Sequence, residues 1–222
     1  GYPNTTGLPA VDLRLVDAVT DPPGSERLCT ERLLRLDPCF LCYTPPACTP
    51  EPRMPDEASP ITFGSFNNAT KIGPRSVALW ARVLQAVPGS RLLLKAQSLK
   101  DSTGRRLILE RFAAAGIPES RLELIAYSKT RDEHLALYNR VHVALDTVPY
   151  NGTTTTCEAL WMGVPVVTTL GGRHAAPGQA AGDAGKGQLY APGGEVDHLR
   201  VVAGIGNVEH VDAGARFQHF GG

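Results

Sequence analysis

The chain has 222 residues, 42% hydrophobic and 20% charged, and its 22 Lys+Arg balance 22 Asp+Glu to a formal net charge of zero. That is enough for one domain of about 150 residues plus further segments. The balance leaves no basic footprint for nucleic acid, and no apolar run nears the ~20 residues of a membrane helix.

Gly1 rather than Met stands first, which reads as a fragment or a processed product. Residues 1–7 are polar and turn-rich and carry no signal-peptide core, so the expected location is cytoplasmic. Alternation over Val11 to Val19 predicts a strand, and Asp21 to Gly24 a loop. Glu26 to Arg35 reads as a short helix and Phe40 to Tyr43 as another short strand. Thr44 to Pro60 carries prolines at 45, 46, 50, 52, 55 and 60, which leaves no regular element, and a domain boundary is expected there. Cys29, Cys39, Cys42 and Cys48 fall close together, but the one C-x-x-C pair has no second pair and an apolar spacer. Free or buried thiols are favoured over zinc, and the odd total of five speaks against a full disulfide framework. The N-x-[ST] sequons at Asn4, Asn68 and Asn151 read as chance matches.

From Ile61 the pattern becomes regular. Ile61 to Phe66 is a predicted strand. Pro74 opens a helix whose Val77, Trp80, Leu84 and Val87 share one face, stopped by Pro88-Gly89. Arg91 to Lys95 is a strand, Ser102 to Ala115 a helix ended by Gly116, and Leu122 to Ala126 a strand. Thr130 caps the next helix, Glu133 completes its capping box, and Leu135, Tyr138 and Val141 face inward. Val143 to Asp146 is a strand, Cys157 to Met162 the body of a short helix closed by Gly163, and Val164 to Thr168 a strand. Strictly alternating strands and helices predict an α/β fold: a Rossmann-like parallel sheet with helices on both faces.

Ligands of such sheets sit beyond the carboxyl ends of the strands. The loops there offer Asn68, Lys71, Lys95, Lys129, Arg131, His134 and the threonines at 153–156. Pro149, Asn151 and Gly152 turn the chain from strand to helix, and the threonines line that helix's first turn. Two readings of the turn stand side by side: a well-capped helix, with Thr155 and Glu158 as the capping box, or an anion site at a helix N-terminus. No triphosphate-binding loop is present around Gly185-Lys186, and Gly204-Ile205-Gly206 is an unsupported dinucleotide fingerprint.

The stretches G-Y-P-N-T-T-G at 1–7, F-G-S-F-N-N-A-T-K-I at 63–72, R-D-E-H-L-A-L-Y at 131–138 and A-L-D-T-V-P-Y-N-G-T-T-T-T-C-E-A-L-W-M-G-V-P-V-V at 144–167 carry a resemblance. They are similar to the protein O-linked N-acetylglucosaminyltransferase family, most of all to bacterial members, which carry tetratricopeptide repeats upstream. The resemblance is collinear over about residues 1–174. It implies two Rossmann-like halves in the GT-B arrangement, with UDP-N-acetylglucosamine bound between them, no metal or other cofactor, and protein acceptors. Residues 1–43 would be the tail of the first half, 44–60 the linker and 61–170 the UDP-sugar domain. Most of the first half, where the family keeps an active-site histidine, would be missing, so the chain alone is expected to be inactive.

By position, the resemblance makes Lys71 the lysine on the diphosphate and places Asn68 near the nucleotide. Arg131 and His134 become the pair beside ribose and base, with His134 against the base. Thr153, Thr154 and Thr155 become the phosphate-holding run, and Glu158 the ribose ligand. Asn68, Thr153, Glu158 and Leu137 depart from the residues of animal members. The resemblance stops near His174, and 13 of the 23 glycines lie in residues 171–222. That tail is expected not to form the family's closing helices, with at most a small strand or turn around Leu199 to Val202, and reads as a frame slip or a degenerate end.

Overall fold

Two sheets organise the chain. The computed structural model describes residues 4–18, 20–37 and 39–169, and the backbone of 199–202. The first sheet pairs β1 (Leu13–Asp17) with β2 (Arg32–Leu36) in parallel. The second contains β3 (Thr62–Ser65), β4 (Arg91–Lys95), β5 (Leu122–Ile125), β6 (Val143–Leu145), β7 (Val166–Thr169) and β8 (Leu199–Val202) in the spatial order β5-β4-β3-β6-β7-β8. β3 to β7 run parallel, and β8 joins antiparallel to β7.

Side chains of a strand alternate between faces, so a strand buried on both sides reads as a continuous apolar run. In β4, Leu92 and Leu94 enter one core and Leu93 the other. α1 (Pro74–Ala86) and α2 (Ser102–Ala114) cover the first face through Val77, Trp80, Leu84, Ile108 and Phe112. α3 (Arg131–Ala136), the 3₁₀ turn Leu137–Arg140 and α4 (Thr154–Trp161) cover the second through Leu135, Tyr138, Val141, Ala159 and Met162. Each Val, Leu, Ile, Phe or Met side chain among these, fully buried, contributes about 1.5–3 kcal/mol.

Local chemistry sets the ends of these elements. Pro74 stands in the first turn of α1, and the Asp101 carboxylate caps α2 by accepting from Gly104 N at 3.1 Å. Thr130 Oγ1 accepts from Glu133 N at 3.1 Å, while Glu133 turns back to Lys129 N at 2.6 Å rather than to the cap residue's own amide. Gly163 ends α4 with φ +74, a backbone region glycine enters without a Cβ penalty.

Two expectations for the N-terminal part are corrected. Glu26 to Arg35 is not a helix: a 3₁₀ turn at Ser25–Leu28 gives way to β2. Arg35 donates to the Asp21 and Pro22 carbonyls, and Thr5 and Thr6 donate to the buried Glu31 carboxylate, which fixes this segment extended beside β1. Phe40 to Tyr43 is not a strand, because its donors go to side chains: Phe40 N to Asp17 Oδ2 at 3.1 Å and Leu41 N to Cys39 Sγ at 3.3 Å. None of the five cysteines is in a disulfide. The proline-rich run 44–60 has no helix or strand and is tacked to the body by Asn139, which takes Arg53 N and donates to Glu51 O. The tail 171–222 lies outside the described residues apart from Leu199–Val202, where β8 is the short strand expected there.

Candidate functional site

Strand order reverses between β3 and β6: from β3 the chain steps outward through β4 to β5, then returns to β6 on the other side of β3. A crevice at the carboxyl ends of the strands opens at such a switch point. The two loops that meet there are the one after β3, residues 66–73, and the one after β6, residues 146–153.

Asp146 ties them together. It is 3% exposed, and its Oδ1 accepts from Gly152 N at 2.7 Å, Thr147 N at 2.8 Å and Asn67 Nδ2 at 3.3 Å, while Oδ2 accepts from Thr168 Oγ1 at 3.0 Å. Burial raises its carboxyl to about 6, against the pull of these donors and of the Lys71 charge. Ser76 exchanges hydrogen bonds with Val148, and Trp80 Nε1 donates to the Asp146 carbonyl at 3.2 Å, so α1 braces the same loop. Asn151 is fully buried and donates to Thr168 Oγ1 at 2.8 Å, which takes its sequon out of reach of any modifying enzyme in the folded chain.

Lys71 reaches across from the β3 loop. Its Nζ donates to Asn151 O at 2.9 Å and lies 4.6 Å from the centre of the Tyr150 ring. Burial pulls its ammonium below the usual lysine value and the Asp146 charge opposes that. The cation therefore sits on the loop that leads into α4, whose first-turn amides have no intrahelical partners.

The capping-box reading of Thr155 and Glu158 is corrected here. Thr155 lies inside α4 and its hydroxyl donates to Asn67 Oδ1 at 3.2 Å; Thr153 is the residue before the helix, and Thr154 is exposed. Glu158 turns away from the helix start. It meets His134 Nε2 at 2.9 Å and Arg131 Nη2 at 3.5 Å, and the other imidazole nitrogen of His134 lies 2.6 Å from Lys95 Nζ. Phe66 and Tyr138 pack on the His134 ring at 5.6 and 5.8 Å between centroids.

Two subsites result, one of Lys71, Asn67, Asp146 and Thr155 around the α4 N-terminus, and one of Lys95, Arg131, His134 and Glu158. Asn68 stays outside both: it is exposed, and its side chain caps its own turn by accepting from Thr70 N at 3.1 Å. Lys129 is also exposed. Sequence reasoning missed Asp146, Asn67 and Thr168 as site residues. The available signal was a carboxylate closing the apolar run Val143–Leu145 at the ligand edge. It also missed Tyr43, whose hydroxyl is shut off from solvent close to Glu158 and Arg131 and is raised chiefly by burial and then by the Glu158 charge.

Residues 48–184 match the family model described as "Glycosyl transferase family 41". The chain belongs to this family. Within family 41 it is similar to the "Probable UDP-N-acetylglucosamine--peptide N-acetylglucosaminyltransferase SPINDLY" of Arabidopsis thaliana, at 45% identity over 180 residues, 79% of this chain and 19% of that protein. It is also 34% identical over 117 residues to the Caenorhabditis elegans "UDP-N-acetylglucosamine--peptide N-acetylglucosaminyltransferase", covering 52% of this chain and 10% of the relative. Among solved structures it is similar to an O-GlcNAc transferase mutant from Thermobaculum terrenum, with TM-score 0.67 and 43% identity over 78% of this chain and 33% of that one. The chain thus spans about a fifth of the length of the plant relative. No helix among the described residues is long and apolar enough to cross a membrane.

Proposed function

We propose that this chain carries the sugar-nucleotide side of a protein glycosyltransferase that moves N-acetylglucosamine from UDP-N-acetylglucosamine to serine or threonine hydroxyls of acceptor proteins in the cytoplasm. The observation that carries this reading is Lys71 Nζ seated on the 146–153 loop at the start of α4. Residues 61–170 are the nucleotide domain, 44–60 the linker, 1–43 the tail of the preceding half, and 171–222 a divergent end.

The reaction is a single displacement with inversion. The acceptor oxygen bonds to the anomeric carbon, the bond from that carbon to the β-phosphate oxygen breaks, and the electron pair leaves on UDP. Charge grows on the diphosphate as this happens. A half-buried ammonium and a helix N-terminus aimed there act more strongly on the transition state than on the ground state, and supply the positive charge without a metal. Thr153, Thr154 and Thr155 hold the phosphates, Glu158 and Arg131 the ribose, His134 the base, and Asn68 stands at the rim. The proton of the acceptor hydroxyl is taken up by a group outside these subsites, consistent with an inactive chain when isolated.

A second reading keeps the chemistry and changes the donor, to GDP-fucose or UDP-glucose. The GDP-sugar is favoured by the Glu158 carboxylate beside His134, an acceptor suited to the N–H edge of guanine, and by Leu137 at the position where animal members have an arginine. A third makes the chain a sugar-nucleotide-binding remnant without turnover. Calorimetry with UDP and GDP separates the donors: UDP binds more tightly on the first reading, and equal or tighter GDP binding sinks it. Binding without transfer in the longest available form of the protein supports the third.

A further inference from the structure

Four side chains from three elements form one relay. Lys95 ends β4, Arg131 and His134 lie in α3, and Glu158 lies in α4. Lys95 Nζ is 2.6 Å from His134 Nδ1, His134 Nε2 is 2.9 Å from Glu158 Oε2, and Arg131 Nη2 is 3.5 Å from Glu158 Oε1. An ammonium offers only donors and an ionised carboxylate only acceptors. Both ends of the relay therefore demand the same imidazole: Nδ1 bare and accepting from Lys95, Nε2 protonated and donating to Glu158. With Phe66 tilted against the ring, Tyr138 meeting it edge-on and both nitrogens engaged, the 16% of the His134 side chain that stays exposed offers a ligand ring surface rather than a ring nitrogen. Glu158 Oε1, at ion-pair rather than hydrogen-bond distance from Arg131, keeps acceptor capacity.

We propose that Lys95 is a positioning residue of the nucleoside subsite: it locks His134 as the Nε2–H tautomer, His134 in turn aims Glu158, and the pair presents a flat ring face to the nucleobase and a carboxylate to the ribose hydroxyls of a nucleoside diphosphate. The inference rests on the nucleotide-site reading above. Lys95 is suited to the task because it is half-buried: burial draws its ammonium below the usual lysine value while the Glu158 charge supports it, so the cation depends on the relay it organises. Acting through His134 rather than on the diphosphate, Lys95 governs nucleoside recognition and leaves phosphate binding to Lys71 and α4.

The test uses the full chain with nitrogen-15-labelled histidine at neutral pH, the His134 signals being assigned by their loss in His134→Gln. The wild type shows a bare Nδ1 and a protonated Nε2. In Lys95→Met the ring becomes a mixture of tautomers, affinity for the tighter of UDP and GDP falls about tenfold or more, and affinity for inorganic pyrophosphate stays within about twofold. Lys95→Arg, which keeps a donor, retains the tautomer and most of the nucleotide affinity. A protonated Nδ1 in the wild type overturns the proposal, as does a Lys95→Met chain unchanged in tautomer and affinity, or one losing UDP and pyrophosphate equally. If the wild type binds neither UDP nor GDP, the proposed function falls and the nucleoside part of this inference with it. A wrong tautomer in a chain that binds nucleotide overturns this inference alone.

Discussion

At the scale of single residues, Lys71 and Asp146 divide the work of the proposed phosphate subsite. Among the described residues Lys71 is held by one carbonyl and one aromatic face and feels the Asp146 charge without an ion pair to it, so its charge remains available to a ligand. Replacing it with alanine in an active form of the protein is expected to lower kcat by an amount worth about 2–4 kcal/mol while changing donor affinity far less. Steady-state kinetics beside calorimetry checks this, and a raised KM with unchanged kcat would mean that Lys71 only holds the ground state. Asp146 is a scaffold carboxyl whose folded value, about 6, lies above its ordinary 3.8. Between those two values the folded chain binds more protons than the unfolded one. Its contribution to stability is therefore greatest below about 4 and is lost as pH rises through about 6, at a cost of roughly 3 kcal/mol once ionised. Asp146→Asn keeps an acceptor for Gly152 N and Thr147 N but cannot ionise. Denaturant unfolding across this range should show a falling stability in the wild type and a flatter profile in the variant; parallel profiles would remove Asp146 as the titrating group.

At the scale of the element, the 146–153 loop and α4 are set by how closely other groups approach Gly152. A Cβ built there would lie 2.8 Å from Asn67 Oδ1 and collide with Thr155 Oγ1, both parts of the network around Asp146. Gly152→Ala is expected to cost about 1–3 kcal/mol through overpacking and to break the Thr155 to Asn67 hydrogen bond. Thermal denaturation reads the first effect and phosphate-probe binding the second; a variant as stable as the wild type with intact pyrophosphate affinity would show that the loop has room to give. The same element shows how a pattern can be read correctly for the wrong role. Thr155 and Glu158 have capping-box spacing, yet the helix starts at Thr154, which puts Thr155 past the cap and frees Glu158 to face α3.

At the scale of the whole molecule, the two sheets are unequally supported. The large sheet is covered on both faces. In the small one, Leu13, Leu15, Leu34 and Leu36 are exposed on one face, and polar clamps do much of the holding: Arg14 bidentate on Asp21 at 2.7 Å, and Glu31 under Thr5 and Thr6. Parallel strands are normally covered on both faces, and a two-stranded sheet is marginal alone. Native-state hydrogen exchange should therefore find β1 and β2 amides opening well before those of β3 and β4. Equal protection would show that the clamps are as strong as the core.

From Ile61 onward the fold was legible because each element announces itself locally. Arg91–Lys95 is a short apolar run, Pro74 and Gly116 punctuate helices, and Val77, Trp80 and Leu84 repeat at helical spacing, so an α/β sheet follows from sequence alone. Lys71, Arg131, His134 and Thr155 were nameable as candidates, since they stand in loops and first turns at the ligand edge, while Glu158 was named as a ligand only through the family resemblance. Three things were decided only by tertiary structure. Strand order placed the switch point between β3 and β6, because hydrogen bonding across 80 residues has no local signature. β2 became a strand through its pairing with β1, through Arg35 on the Asp21 carbonyl and through Thr6 on the adjoining Glu31, against a local pattern that suited a helix. The anchoring of Asp146 and the role proposed for Lys95 come from partners on other elements, Asn67 and Thr168 for one and His134 for the other. A side chain's chemistry is written in the sequence, but what it bonds is set by which strand ends the sheet brings together.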